Sequence, residues 1–284
     1  MNYLWHILAV VMIQMPSALG YNVVFGKGKI LHFGPIATSL ASAYLIFLLL
    51  KATGSWGIAV AAGCVGAALL SVLFAWISQR LEPDGFGVLS LAVHLGIVSI
   101  VLNWSSVTRG ALGVPQIPSL PLITSLPRVA LLATGVAMAW GGLLFWLHRR
   151  AFGRQLAALA EHEWHASALG VNRFRMQCAA FLLAGFGALL SNLQFAPYIH
   201  LLHPSDYGFP ALINLVLYVI AGGPGNILGV ALATVLLVTL HTTLPLLQWP
   251  AGIIGPVRLI LFGTILFVVI WLRAPRIFPQ RRSV

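Results

Sequence analysis

"FGRQLAALAEHEWHASALGVNRFR", residues 152–175, holds two of the chain's five acidic residues, three arginines and two histidines. On either side lie the apolar runs 127–147 and 176–196. A helix crosses a bilayer with about 20 mostly apolar residues, within a range of roughly 17–25. Both flanks meet that length, and the stretch between them is too polar to cross. The flanks therefore read as membrane spans and the polar stretch as a connection tethered at both ends.

Composition extends this reading to the whole chain. Of 284 residues, 60% are hydrophobic and 7% are charged, where a soluble domain carries about 25% charged residues. No water-soluble fold of this length hides so much apolar surface. Nine runs come near the spanning length: 3–24, 34–50, 56–76, 86–102, 127–147, 176–196, 206–221, 227–247 and 256–272. The expected fold is all-α, a polytopic bundle of about 8–9 transmembrane helices with some short or broken ones and a helix in the polar connection. All of 1–284 reads as one integral-membrane unit. The opening "MNYLWHILAVVMIQMPSALG" lacks the positive leader charge of a secretory signal, so it is expected to be a retained first span.

Charge orients the spans. With alternating spans, the odd-numbered connections and the C-terminus hold Lys27, Lys29, Arg80, Arg149, Arg150, Arg154, Arg173, Arg175, Arg273, Arg276, Arg281 and Arg282. The other side holds Lys51, Arg109, Arg128 and Arg258. Lys and Arg resist translocation, which places the first group, the connection at about 148–175 and the C-terminus in the cytoplasm. The N-terminus then faces out. The longest outer connection, 103–126, is rich in Pro, Gly, Ser and Thr and is expected to be an ordered external loop. A nucleic-acid binder would gather its cations in one polar stripe; here they are dispersed between apolar runs, so no nucleic-acid partner is expected.

Cys64 and Cys178 lie inside apolar runs and read as small buried hydrophobes. "HEWH" (162–165) spaces its histidines three apart, not the four of H-E-x-x-H, and has no evident third ligand. "GKGK" (26–29) is not a phosphate loop, because G-x-x-x-x-G-K-S/T is absent. No catalytic, metal or cofactor site is read from the sequence. The acids Glu82, Asp84, Glu161, Glu163 and Asp206 all fall in connections or at span edges. An ion-coupled carrier usually needs an ionisable group within the membrane, which leaves only His32, His94 and His241 as proton carriers. Any uphill transport must borrow its energy from another protein.

As a helix, 152–168 places Phe152, Leu156, Ala160, Trp164 and Ala168 on one narrow stripe. Gly170 follows as a C′ residue. Lying on lipid headgroups is the alternative use of such a helix.

This stretch resembles the cytoplasmic coupling loop of permease subunits in ABC importers for branched-chain amino acids, the LivM-like branch of the LivH/LivM family. Members tend to read F-G-R-x-L-x-A-[LI]-R-E-x-E-x-A-A-x-x-L-G-[IV]-N there, and the match includes Phe152, Gly153, Arg154, Leu156, Glu161, Glu163, Leu169, Gly170 and Asn172. Ala160 stands in place of the usual Arg. "GYNVVFGKGKILHFG" (20–34), "TRGALGVPQIP" (108–118), "HPSDYGF" (203–209) and "AGGPGNILGVALAT" (221–234) resemble further family segments in order. Lys29 replaces a family Gly, and Leu95 and Val98 stand where a Glu and an Arg are common.

The resemblance implies a bacterial inner-membrane permease with no ATPase site of its own. Its partners would be ATP-binding cassette subunits, a second permease subunit (in a homo- or heterodimer) and an external substrate-binding protein. Glu161 and Glu163 would face an ATPase groove, Arg154 and Arg173 would anchor the helix ends, and Gly170 would permit the exit turn. Leucine, isoleucine and valine are the default substrates, with urea and short amides as alternatives.

Candidate path residues are polar groups within spans: Asn22, Thr38, Ser39, Ser42, Asn192, Gln194, Asn214 and Tyr218. Each is equally readable as hydrogen-bonding glue between helices. Thr38, Ser42 and Asn214 are favoured because they lie on 33–48 and 207–223. Both segments open on a Gly–Pro interruption, as paired broken helices beside a transport path do. Two other classes remain: an autonomous carrier or channel for a small polar solute, and a membrane-embedded enzyme using His94 or His241.

Overall fold

A computed structural model describes residues 2–121, 123, 125–244 and scattered positions from 257 to 271. The first helix, α1 (Asn2–Tyr21), runs into a π-helical turn at Asn22–Lys27. It is followed by α2 (Gly34–Thr53), α3 (Trp56–Ser78) and α4 (Pro83–Asn103). A short helix, α5 (Ser105–Thr108), a 3-10 turn and a two-residue strand, β1 (Val114–Pro115), precede α6 (Leu126–Arg149). Next come α7 (Ala151–Glu161), α8 (Glu163–Ala168) and α9 (Arg173–Ile199). Strand β2 (Leu201–Leu202) and a 3-10 turn at Pro204–Tyr207 lead to α10 (Phe209–Gly222) and α11 (Ile227–Thr243).

Among the described residues, six helices are long and apolar enough to cross a bilayer: α1 with its π turn, α2, α3, α4, α6 and α9. They match the first six apolar runs. The seventh and eighth runs become the shorter α10 and α11. The ninth run, 256–272, is described only at scattered positions, and Arg258 and the C-terminal arginines lie outside the described residues.

Helix starts follow local chemistry. Proline occupies the first turn of α2, α4, α6 and α10, where its missing N–H costs nothing. Asn172 and Asn226 cap α9 and α11, their side chains accepting from the N–H of Arg175 and Gly229. The Gly–Pro pair at 34–35 thus begins an unbroken helix of 20 residues. This corrects the reading of 33–48 as a broken segment. Only its expected counterpart is short: the 14 residues of α10 extend about 21 Å against a hydrocarbon core of about 30 Å.

α1 and α9 pack against each other at the centre, Gly20 lying close to Ala184 and the Leu183 carbonyl, and Gly187 to the Pro16 carbonyl. Small residues let helices approach closely in lipid, where packing rather than water exclusion drives association. α3, α4 and α6 present outward apolar faces, with Val65, Leu69, Val88 and Met138 all more than half exposed. Such faces suit lipid.

The two ends of the bundle differ in charge. At one end the connections after α1, α3 and α6 meet: Gly28, Lys29, Leu81, Pro83, Leu156 and Glu161 surround one hollow, and Arg173 donates to the Ser78 carbonyl. Lys27, Lys29, Arg80, Arg149, Arg150, Arg154, Arg173 and Arg175 belong to this basic end. Three of these arginines lie over aromatic rings (Arg80 on Trp76, Arg149 on Phe145, Arg150 on Trp146), a pairing suited to a membrane–water boundary. At the opposite end Lys51 Nζ donates to Pro115 O, β1 pairs antiparallel with β2, and Ile117 N–H donates to His200 O. These bonds fix residues 114–117 of the 103–126 connection. The alternation expected from sequence therefore holds through the first six spans.

Candidate functional site

Two regions carry the polar chemistry: a cavity inside the bundle and the α7–α8 segment at its basic end.

The cavity, about 350 Å³, lies between α1, α2, α9, α10 and α11. Its lining from α1 (Val10, Gln14, Ser17), α9 (Ser191, Asn192, Phe195) and α11 (Val238, His241) places it toward the end remote from the basic one. Of the sequence candidates, Asn214, Ser39, Asn192 and Tyr218 line it. Thr38 and Ser42 do not. Thr38 Oγ1 donates to the Gly34 carbonyl and Ser42 Oγ to the Ser39 carbonyl, and both are buried where α2 packs. Asn22 is elsewhere too, its Oδ1 accepting from Gly225 N–H at 2.8 Å and tying the π turn to the α10–α11 connection.

The connection between α9 and α10 supplies what the sequence reading missed. Residues 204–207 fold inward, and Ser205, Asp206 and Tyr207 line the cavity. Tyr207 is 4% exposed, and its hydroxyl donates to Asn192 Oδ1 at 2.7 Å. Asn192 Nδ2 in turn donates to Ser39 Oγ. Asp206 is exposed, but toward this hollow. Desolvation raises its carboxyl above the usual carboxylate range, with His203 opposing. The reading that Asp206 falls in a connection holds; what the sequence did not show is that this connection lines the cavity.

This network gives a direct stability test. An Asn192→Leu protein leaves the buried Tyr207 hydroxyl unpaired, at a cost of about 1–3 kcal/mol. The thermal midpoint of the purified protein should fall, and Tyr207→Phe in the same background should restore part of the loss.

His32 is fully buried among Phe74, Phe86 and Phe181, with ring centroids 4.6–5.2 Å away, and accepts from Gly34 N–H through Nδ1. His94 is fully buried in α4, and His241 lines the cavity. The three do not form a cluster: among the described residues no group of three His, Cys, Asp or Glu side chains is arranged to hold a metal ion.

The basic-end segment is two helices, not one. His162 adopts extended backbone (φ −147°, ψ 91°) between α7 and α8, correcting the continuous 152–168 helix. The apolar stripe consequently holds only in α7, where Leu156 is 1% exposed and Phe152 packs on the core. Past the break Trp164 turns outward, 89% exposed, and Leu169 is 86% exposed. Folding back lets Glu163 pair with Arg173 at 2.7 Å, and Arg173 reaches Ser78 O as well. Arg154 Nη1 donates to Arg149 O, bracing α7 against the end of α6. Glu161 is exposed beside the same hollow as Arg173.

Gly170 ends α8 with φ +87°. Val171 N–H donates to Ala166 O and Gly170 N–H to Ser167 O. This pair of bonds satisfies carbonyls that a helix end leaves open, and requires a left-handed residue at position 170.

A family model described as "Branched-chain amino acid transport system / permease component" matches residues 3–270. The chain is 25% identical over 243 residues to the high-affinity branched-chain amino acid transport system permease protein LivH of Escherichia coli K12, and 24% identical to LivH of Salmonella typhimurium. Each alignment covers 78% of this chain and 78% of the relative. It is 26% identical over 264 residues to LivM of Salmonella typhimurium, covering 82% of this chain and 61% of LivM. No solved structure matches.

Proposed function

From the premise that this chain belongs to the family of branched-chain amino acid transport system permease components, we propose that it is a membrane-spanning subunit of an ATP-driven importer in the bacterial inner membrane. Its charge asymmetry supports a cytoplasmic basic end, because Lys and Arg resist translocation. On this orientation the N-terminus and the 103–126 loop face outward and the C-terminus inward. ATP hydrolysis then belongs to separate cytoplasmic subunits, substrate arrives from an external binding protein, and a second permease completes the pathway.

One observation carries the coupling role. At the basic end Trp164 and Leu169 project from a segment whose own structure is braced by Arg154, Arg173 and the Gly170 turn. A large exposed apolar pair on a rigid mount suits a protein groove, and tryptophan is enriched among residues that dominate interface energy. Arg154, Glu163, Arg173 and Gly170 serve as the mount, and Glu161 offers a charge at its edge. Pushing on such a mount moves α6 and α9 together, since the segment is joined to both.

The test is co-purification. Expressed with its ATPase subunits, the wild-type chain should carry them through affinity capture. Trp164→Ala should reduce recovered ATPase about tenfold or more, the loss expected when an interface anchor worth about 2 kcal/mol is truncated. Undiminished recovery, or reaction of a Trp164→Cys protein with an impermeant external thiol reagent in intact cells, would remove the docking role.

A further inference from the structure

We infer that the 350 Å³ cavity takes a ligand bearing a primary ammonium group and an aliphatic tail, and that Asp206 is the group that holds the charge. This rests on the amino-acid importer reading and names a binding subsite for it.

The cavity is amphipathic in a divided way. Val10, Ile36, Leu215 and Val238 give it an apolar wall, and Asp206 stands on the connection that closes it. Among its lining residues Asp206 is the one carboxylate, and no lysine or arginine lines it. Among the described residues the ion pair present is Arg173–Glu163, at the other end of the bundle. Asp206 therefore faces the hollow with His203 as the basic side chain that acts on it and with no lysine or arginine beside it, while His241 lines the same cavity. Its neighbour Tyr207 is fixed by Asn192, and Asn192 by Ser39, so the carboxylate sits on a pinned segment rather than a mobile one.

A half-enclosed carboxylate gains most from a cation that can donate hydrogen bonds to it, since charge-assisted bonds are about twice as strong as neutral ones. A single carboxylate suits a monovalent ammonium, whereas calcium takes 6–8 oxygen ligands. The volume falls within the range of roughly 300–1,000 Å³ typical of small-molecule sites. Gln14 and Asn214 place amide groups on the same lining, donors of the kind a ligand carboxylate accepts from.

The experiment is ligand-observed saturation-transfer NMR on the full chain in lipid nanodiscs, with three probes: L-leucine, 3-methylbutylamine and 4-methylpentanoate. Wild-type protein should contact the first two and not the third, which lacks the ammonium. Asp206→Asn should weaken L-leucine and 3-methylbutylamine about tenfold or more, as loss of a hydrogen bond to a charged group implies. Asp206→Glu, which keeps the charge, should retain the preference for ammonium probes. Equal binding of L-leucine by wild-type and Asp206→Asn protein, equal binding of 4-methylpentanoate and L-leucine, or no contact of L-leucine with wild-type protein would each overturn the assignment. Failure of the importer reading looks different: Asp206-dependent binding would persist while uptake ran without any ATPase subunit.

Discussion

ATP-driven uptake of L-leucine should fall to background when Gly170 is replaced by valine, while the amount of protein in the membrane stays normal. The backbone at 170 has φ +87°, and left-handed conformation costs a residue with a Cβ roughly 1–2 kcal/mol, more when it is β-branched. Relieving that strain by returning to φ below zero breaks the bonds from Val171 N–H to Ala166 O and from Gly170 N–H to Ser167 O. Trp164 and Leu169 then lose their fixed placement, and the Glu163–Arg173 pair loses its short reach. Insertion is unaffected because the segment lies between spans rather than within one. Gly170→Asn is the control, since asparagine visits the left-handed region more readily than other side chains, and it should keep a substantial share of the uptake. Radiolabelled leucine accumulation in cells that also express the ATPase and binding-protein subunits, normalised to membrane immunoblots, reads both variants. Wild-type uptake by Gly170→Val would detach the turn from coupling.

The second large effect concerns assembly. Gly229 of α11 faces Gly222 of α10 so closely that a Cβ at 229 would overlap the Gly222 carbonyl oxygen, and a Cβ at 222 would overlap the Val230 backbone. The obstacle in both cases is main chain, which cannot rotate away like a flexible side chain. Gly229→Leu must therefore separate the two helices and pull Gly225 from Asn22, whose bond ties the connection to α1. Overpacking of this kind typically costs about 1–3 kcal/mol and occasionally more, and α10 has little to fall back on because it is too short to cross a bilayer by itself. Protein carrying Gly229→Leu should be lost from the monodisperse peak in size-exclusion chromatography and accumulate poorly in membranes. A wild-type elution profile and thermal midpoint would mean that the hairpin yields without cost.

These two glycines also show where sequence reading reached and where it stopped. Gly170 was legible because it follows a polar helical stretch and precedes an asparagine-capped apolar run, and that local order sets its conformation. Gly229 was legible only as part of a glycine-rich stretch, since its role depends on which helix comes to lie against it. Thr38 and Ser42 are favoured by sequence for lying on a segment that opens on Gly and Pro, and their hydroxyls are satisfied by their own helix. Ser39, a neighbour of Thr38, faces the cavity, a distinction that rests on the rotation of α2 against α9.

By itself the sequence determined that this is a lipid-embedded helical bundle, where its first six spans lie, how they alternate, and that a polar segment ending at Gly170 joins two of them. Run length, charge placement and terminator residues are properties of short stretches, and the bilayer imposes one length and one polarity rule on all of them. Tertiary structure alone decided that residues 204–207 fold inward to bring Asp206 to a cavity, and that the polar segment breaks at His162 to expose Trp164. Both outcomes depend on contacts between residues far apart in the chain: Asn192, which holds Tyr207, with Ser39, and Arg173, which holds Glu163, with Ser78. Pattern along the chain does not encode which partner a side chain meets once the helices have packed.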